Sequence, residues 1–308
     1  MPYDAVLGTH VLIGTESGLW QSRNETFEPV DAFAARTVNA LVHSEHGLWA
    51  VVDEKVFLQR RGGRWTERAS LDHGRATCLA PMLDSLLVGT TNAHLFCLVG
   101  GRFELIESFE TVEGRKTWHT PWGDPADVRS MAIAIDGTIY VNVHVGGIIR
   151  SRDAGLSWAP TVDIEADVHQ VIAHPARPQT VLAAAYEGFG LSRDGGESWR
   201  FMTDGMLAHY ARAVAVAGET VLVSASTGPR GRHAAIYRKP LDDDRPFVQS
   251  NDGLPRFDNN IDTACLAADG SLAVFGTNDG CVFRSLDGGT RWKLVTQGLP
   301  RIKAVTIC

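Results

Sequence analysis

Short apolar runs alternate with turn residues along the whole chain. The cycle is an apolar strand, a turn, a second apolar strand, a Gly-containing turn, a third strand, a short polar motif, and a fourth strand led by Trp or Phe. Four short strands in about 40 residues, repeated, is the pattern of a propeller blade. Seven units can be read, with middle-strand segments at 11–22, 48–59, 86–98, 139–151, 181–192, 221–238 and 272–285. The pattern predicts an all-β fold, a seven-bladed β-propeller with four-stranded antiparallel blades, as one domain over residues 1–308.

Each unit needs an innermost strand before its middle pair. Residues 38–43, 76–81, 128–135, 168–173, 211–216 and 261–267 serve units two to seven. The last apolar run, residues 302–307, has the same pattern and no unit after it. It is expected to pair into the first blade and close the ring, removing the exposed edges of an open propeller; residues 4–7 compete for the same slot.

The polar motif is best kept at Ser151, Asp153, Gly155, Trp158, again at Ser192, Asp194, Gly196, Trp199, and at Ser285, Asp287, Gly289, Trp292. An Asp accepting backbone N–H groups in its own turn, a Gly at positive φ and a Ser bonding nearby backbone account for every fixed position. The motif therefore speaks for the fold rather than for chemistry. S-x-D-x-G-x-x-W resembles the Asp-box, or BNR repeat, of sialidases, sortilin-type receptors, xyloglucan-cleaving enzymes and photosystem assembly factors. Residues 119–123, 127–130, 141–147 and 167–169 further resemble single-domain bacterial BNR-repeat proteins described as sialidase-like. The resemblance implies the propeller; a sialidase would also need an arginine triad, and no Arg-Ile-Pro motif stands near the start of this chain.

The formal charge of −7 argues against a nucleic-acid surface, which needs a basic stripe. No basic stretch followed by an apolar one opens the chain, which sets the expectation of a cytoplasmic protein without a membrane span. Five cysteines without a CxxC pair are expected as free thiols.

The motif turns join strands three and four, on one face of the ring. Two insertions, 109–127 and 227–235, fall on the other face, so that face is expected to hold the site. Registering the innermost strands places Asn39, Arg129, His169, Arg212, Asp262 and Lys303 at one equivalent level, where they would ring the channel mouth. Counting back three from the Gly opening each third strand gives Thr15 and Thr277 in two blades, but His144 and Glu187 in blades four and five. His144, Glu187 and His169 are the candidate acid–base residues, since imidazole and carboxylate titrate nearest neutrality. Arg129, Arg212, His119, Trp118, Trp122, Tyr210, Asp262 and Asn39 are the candidate binding residues, two arginines favouring an anion and the tryptophans offering a flat apolar wall.

The resemblance to sialidases, with these residues in place, implies a hydrolase-like enzyme on a small anionic or sugar-like ligand. The alternatives are a non-catalytic ligand- or protein-binding propeller, and a metal-dependent enzyme using His119, His144, His169 and His209. No cofactor and no metal can be named from the sequence.

Overall fold

A computed structural model describes residues 10–308 apart from 24–25, 45–46, 83–84 and 163–164. The strands pair into seven four-stranded antiparallel sheets, so the chain is a seven-bladed β-propeller. Second strands are flanked by blades on both sides and read as continuous apolar runs. Val11–Thr15, Leu86–Thr90, Ile139–Val143 and Val181–Ala185 are buried at every residue. Outermost strands such as Thr26–Pro29 have one wet face and are largely exposed.

Six blades are built from consecutive strands, whereas the first borrows its innermost strand from the end of the chain. Ile302–Ile307 lies antiparallel to Val11–Thr15, with Val305 opposite Ile13. The expected closure is the observed one; the competing segment 4–7 falls outside the described residues.

Neighbouring blades meet where a second strand has almost no side chain. A Cβ added to Gly14 would stand 2.8 Å from Val38 Cγ1, one on Gly89 2.4 Å from Val128 Cγ1, and one on Gly276 2.6 Å from Ile302 Cγ2. The next blade's innermost strand thus packs onto bare backbone. Elsewhere the second strand holds its neighbour by hydrogen bonds: Asn142 Nδ2 donates to Val168 O at 3.0 Å, and Ser224 Oγ to Ile261 O at 2.7 Å.

In blades one to six a residue near the start of the innermost strand, at this level, is bulged out of its ladder. Pairing skips from Val38 to Ala40, Ala76 to Cys78, Val128 to Ser130, Val168 to Gln170 and Ala211 to Ala213. In blade one, Thr15 pairs with Ile302 and Gly14 with Ala304, leaving out Lys303. A bulge frees one side chain from cross-strand packing and re-aims it. Asn39, Thr77, Arg129, His169, Arg212 and Lys303 are the residues so freed.

Blade seven departs from the expected pattern. Its innermost strand begins only at Leu266, and residues 262–265 form a turn with Ala264 at φ +64°. That turn is tied to other blades: Thr263 Oγ1 donates to the Arg212 carbonyl at 2.9 Å, and Val305 N–H to the Ala264 carbonyl at 2.8 Å.

The S-x-D-x-G-x-x-W turns are self-contained. Ser151 Oγ accepts from Gly155 N–H and donates to Asp153 Oδ1, both at 2.8 Å, and the same oxygen of Asp153 accepts from Ser157 N–H. Ser192–Asp194 and Ser285–Asp287 repeat the Ser–Gly and Ser–Asp bonds. Trp292 is buried with its ring 4.9 Å from Phe275 in a T-shaped pair. All five cysteines are free, and burial pushes the thiols of Cys78 and Cys265 up to about 12.

Because Ile302 is 1% exposed and keyed against Gly276, Ile302→Ala is expected to cost about 2–4 kcal/mol in denaturant unfolding. A loss below about 0.5 kcal/mol, the range of an exposed position, would mean the terminal strand does not close the ring in solution.

Candidate functional site at the channel mouth

All the bulged residues but His169, which is fully buried, converge, and the turn of blade seven adds Asp262. Asn39, Thr77, Arg129, Arg212, Asp262 and Lys303 line one cavity of 290 Å³, which Glu54 and Arg301 also reach. Four of these side chains are basic and two acidic, in a chain whose formal charge is −7. The mouth is therefore locally positive.

Most of these charges have partners. Arg212 donates to Asp262 Oδ1 from Nη2 at 2.8 Å and Nε at 3.2 Å, with its guanidinium 5.8 Å from the Tyr210 ring centre. Asn39 Oδ1 accepts from Glu54 N–H at 2.8 Å, which fixes that amide as a brace between loops. Arg301 stands 3.8 Å from Glu16, and Arg75 3.7 Å from Glu54. Lys303 has no ion pair among the described residues.

Beside the cavity, blades four and five build a polar cluster around Asp167. Its Oδ1 is 3.8 Å from Arg129 Nη1 and 3.6 Å from His144 Nε2; its Oδ2 is 3.4 Å from His169 Nε2. Three of these atoms, Arg129 Nη1, Asp167 Oδ1 and His169 Nε2, are buried with no hydrogen-bond partner among the described residues. Such groups cost about 1–3 kcal/mol each when left unpaired. The arrangement survives because the blades on either side fix it: Ser130 Oγ accepts from Val171 N–H at 2.8 Å, and Gln170 Oε1 from Val214 N–H at 2.9 Å. Both are the residues immediately after a bulge.

Electrostatics assigns the protonation states. Burial, then the Arg129 charge, drives His144 down to about 3, so its ring is neutral at physiological pH. Burial and repulsion from Arg212 lower Arg129 to about 10, still a cation. Burial alone would raise the Asp167 carboxyl, but His169, His144 and Arg129 outweigh it and hold the group below its ordinary value.

Around this centre stand exposed rings. Trp122, 69% exposed, meets the His144 ring edge-on at 5.3 Å. Tyr186, 56% exposed, lies 6.0 Å from Tyr210, whose ring is 4.6 Å from that of His169. Trp118 does not join them. It is buried against Phe109 at 5.6 Å beneath Arg115, because the insertion folds this ring inward as its own core. His119 holds the insertion to the 144–145 turn through backbone pairing with Val145, and its Nδ1 lies 3.0 Å from the Thr117 carbonyl.

The shared register of His144 and Glu187 is not observed. The third strand of blade five opens at Gly188, two residues before the Gly190 that the count used. The backbone shows the true equivalence: His144 N–H donates to Asp127 O at 3.0 Å, and Tyr186 N–H to Asp167 O at 2.9 Å. Tyr186, not Glu187, occupies the position of His144, and Glu187 is exposed in the hairpin turn. His209 is exposed as well. Among the described residues, no three His, Cys, Asp or Glu side chains are arranged to hold a metal ion.

Asp167 and Thr77 were absent from the sequence reading of the site. Asp167 carried a signal, since Asp stands two residues before the bulged position in both Asp127-Val128-Arg129 and Asp167-Val168-His169. Thr77 follows Ala76 as Arg129 follows Val128, but nothing in its side chain marks it.

No family model matches the chain, and no curated protein does. Solved structures do. An ancestral GH74 enzyme superposes with a TM-score of 0.62 at 14% identity, over 83% of this chain and 38% of that one. The GH74 xyloglucanase of Xanthomonas campestris gives 0.59 at 15%, over 83% and 45%. U3-55K gives 0.60 at 15%, over 87% and 84%. The chain thus spans less than half of the two GH74 proteins. At this identity the likeness shows the β-propeller fold alone.

The depressed His144 pKa sets a pH dependence. The unfolded ring, at its ordinary value of 6.5, takes up a proton before the folded one does, so stability is lost as pH falls from about 6.5 towards 3. After allowance for solvent screening, about 1 kcal/mol is expected to disappear between pH 7 and pH 5. His144→Gln should flatten that part of a stability–pH curve; an unchanged slope would show that His144 is not held neutral.

Proposed function

We propose that the protein acts on a small anionic or sugar-like molecule held at the channel mouth beside blades four to six, as a hydrolase-like enzyme. The observation that carries this reading is the buried, unpartnered Arg129 Nη1 standing 3.8 Å from the equally unpartnered Asp167 Oδ1. Two opposite charges that leave hydrogen-bonding capacity unused are preorganised for something else. Arg129, Arg212 and Lys303 supply the charge complement for a carboxylate or phosphate. Trp122 and Tyr186 supply flat walls for a ring. Asp167, ionised, is the candidate proton acceptor, and neutral His144 can donate or accept a hydrogen bond beside it.

Two further considerations support the reading. The three S-x-D-x-G-x-x-W turns are consistent with a place among BNR-type propellers, and they leave the opposite face free. GH74 enzymes, one of them a xyloglucanase, are among the structural neighbours and give the scaffold a precedent in sugar chemistry.

Thermal unfolding with D-glucuronate, inorganic phosphate and uncharged D-glucose tests the anion requirement. An anion at about 100 times its Kd is expected to add about 2.7 kcal/mol of stability, with glucose far weaker. Arg129→Lys, which keeps the charge but loses the unpartnered Nη1, is expected to weaken the anion at least tenfold. Equal stabilisation by glucose, or no effect of Arg129→Lys, would defeat the proposal. Binding without turnover of glucuronides or phosphate esters would make the protein a recognition module instead.

A further inference from the structure

The two ring nitrogens of His169 face only hydrogen-bond acceptors. Nδ1 is 2.5 Å from the carbonyl oxygen of Ala211, and a carbonyl has no proton to give. That nitrogen must be the donor. A neutral imidazole has one N–H, so Nε2 would then be a bare lone pair. It stands 3.4 Å from the Asp167 carboxylate, in a ring with 0% exposure and no other partner for that nitrogen. Two lone pairs would oppose each other where no solvent screens them.

We infer that His169 carries a proton on both ring nitrogens at neutral pH, forming a buried imidazolium–carboxylate pair with Asp167 that leaves the cluster with one uncompensated positive charge. Arg129 and His169 contribute two positive charges and Asp167 one negative; His144 is neutral, and Arg212 is cancelled by Asp262. Resting on the proposed anion site, this names what a bound anion would neutralise.

The opposing effects are on view. Desolvation works first against charge on His169, Asp167 favours it, and Arg129 and Arg212 repel it; together these effects lower the pKa of the ring, and the second proton has to be held against them by the contact with Asp167. From blade six, the ring receives the Ala211 carbonyl, which has no proton to give, and the Tyr210 ring tilted at 59° to it, whose hydroxyl lies 3.5 Å from Arg212 Nη1. From blade seven, Thr263 Oγ1 is occupied by the carbonyls of His169 and Arg212. Repulsion among the cations acts at a distance, whereas Nε2 and Asp167 Oδ2, 3.4 Å apart without an aligned hydrogen bond, would meet lone pair to lone pair if the nitrogen were bare. The local demand of two acceptors therefore decides.

The test is nitrogen-15 NMR of histidine-labelled, ligand-free protein at pH 7, with the His169 ring assigned through its contact with Tyr210. Both nitrogens are expected at protonated shifts, and the Asp167→Asn variant is expected to lose that signature. A neutral His169 ring in the wild-type protein, with Nε2 at an unprotonated shift, overturns the inference whether or not the variant folds. Because no ligand is added, failure of the anion panel above would leave this result standing, and a neutral ring would leave the anion panel standing.

Discussion

The close approach of each innermost strand to its neighbour's second strand governs the rest of the molecule. Gly14, Gly89 and Gly276 leave room for Val38, Val128 and Ile302, and at these positions a methyl group would collide with the next blade. Packing that tight fixes the residue on one side of the contact, and the bulge then turns the following residue out of the ladder. Where the bulge recurs, in blades one to six, it turns one side chain per blade out of the ladder, and in blade seven the 262–265 turn supplies Asp262 instead. The closing strand obeys the same rule, with Ile302 as the key and Lys303 as the side chain delivered.

What those side chains do depends on where compensation stops. Arg212 with Asp262, and Asn39 with the Glu54 amide, are satisfied within the ring. Arg129, Asp167 and His169 are brought together and left with buried, unused polar atoms. Burial strengthens the interactions between the charges that remain, while working against charge on Arg129, His144 and His169. The result is a positive mouth on an acidic protein, next to a cluster whose exposed rings, Trp122 and Tyr186, meet His144 and Tyr210.

The fold was readable because its evidence is local. The turn chemistry of Ser151, Asp153 and Gly155 repeats in the chain, and so does the alternation of apolar runs. Of the expected ring, Asn39, Arg129, Arg212, Asp262 and Lys303 do line the cavity, each one position after an apolar residue, whereas His169 is fully buried outside its lining. Glu187 was misplaced because a choice between Gly188 and Gly190 decides the register, and both are glycines in an apolar run. Trp118 was misread because the sequence does not say which way an insertion folds its rings. Asp167 was passed over because its importance arises from three partners, Arg129, His144 and His169, drawn from two blades.

The central claim is that blade packing preforms an anion site at this mouth. Anomalous scattering from a crystal soaked in selenate tests it most directly. The account expects a selenium peak within reach of the Arg129 and Arg212 guanidinium groups. Selenate found only at exposed arginines on the outer rim, with the mouth empty at full occupancy elsewhere, would contradict it.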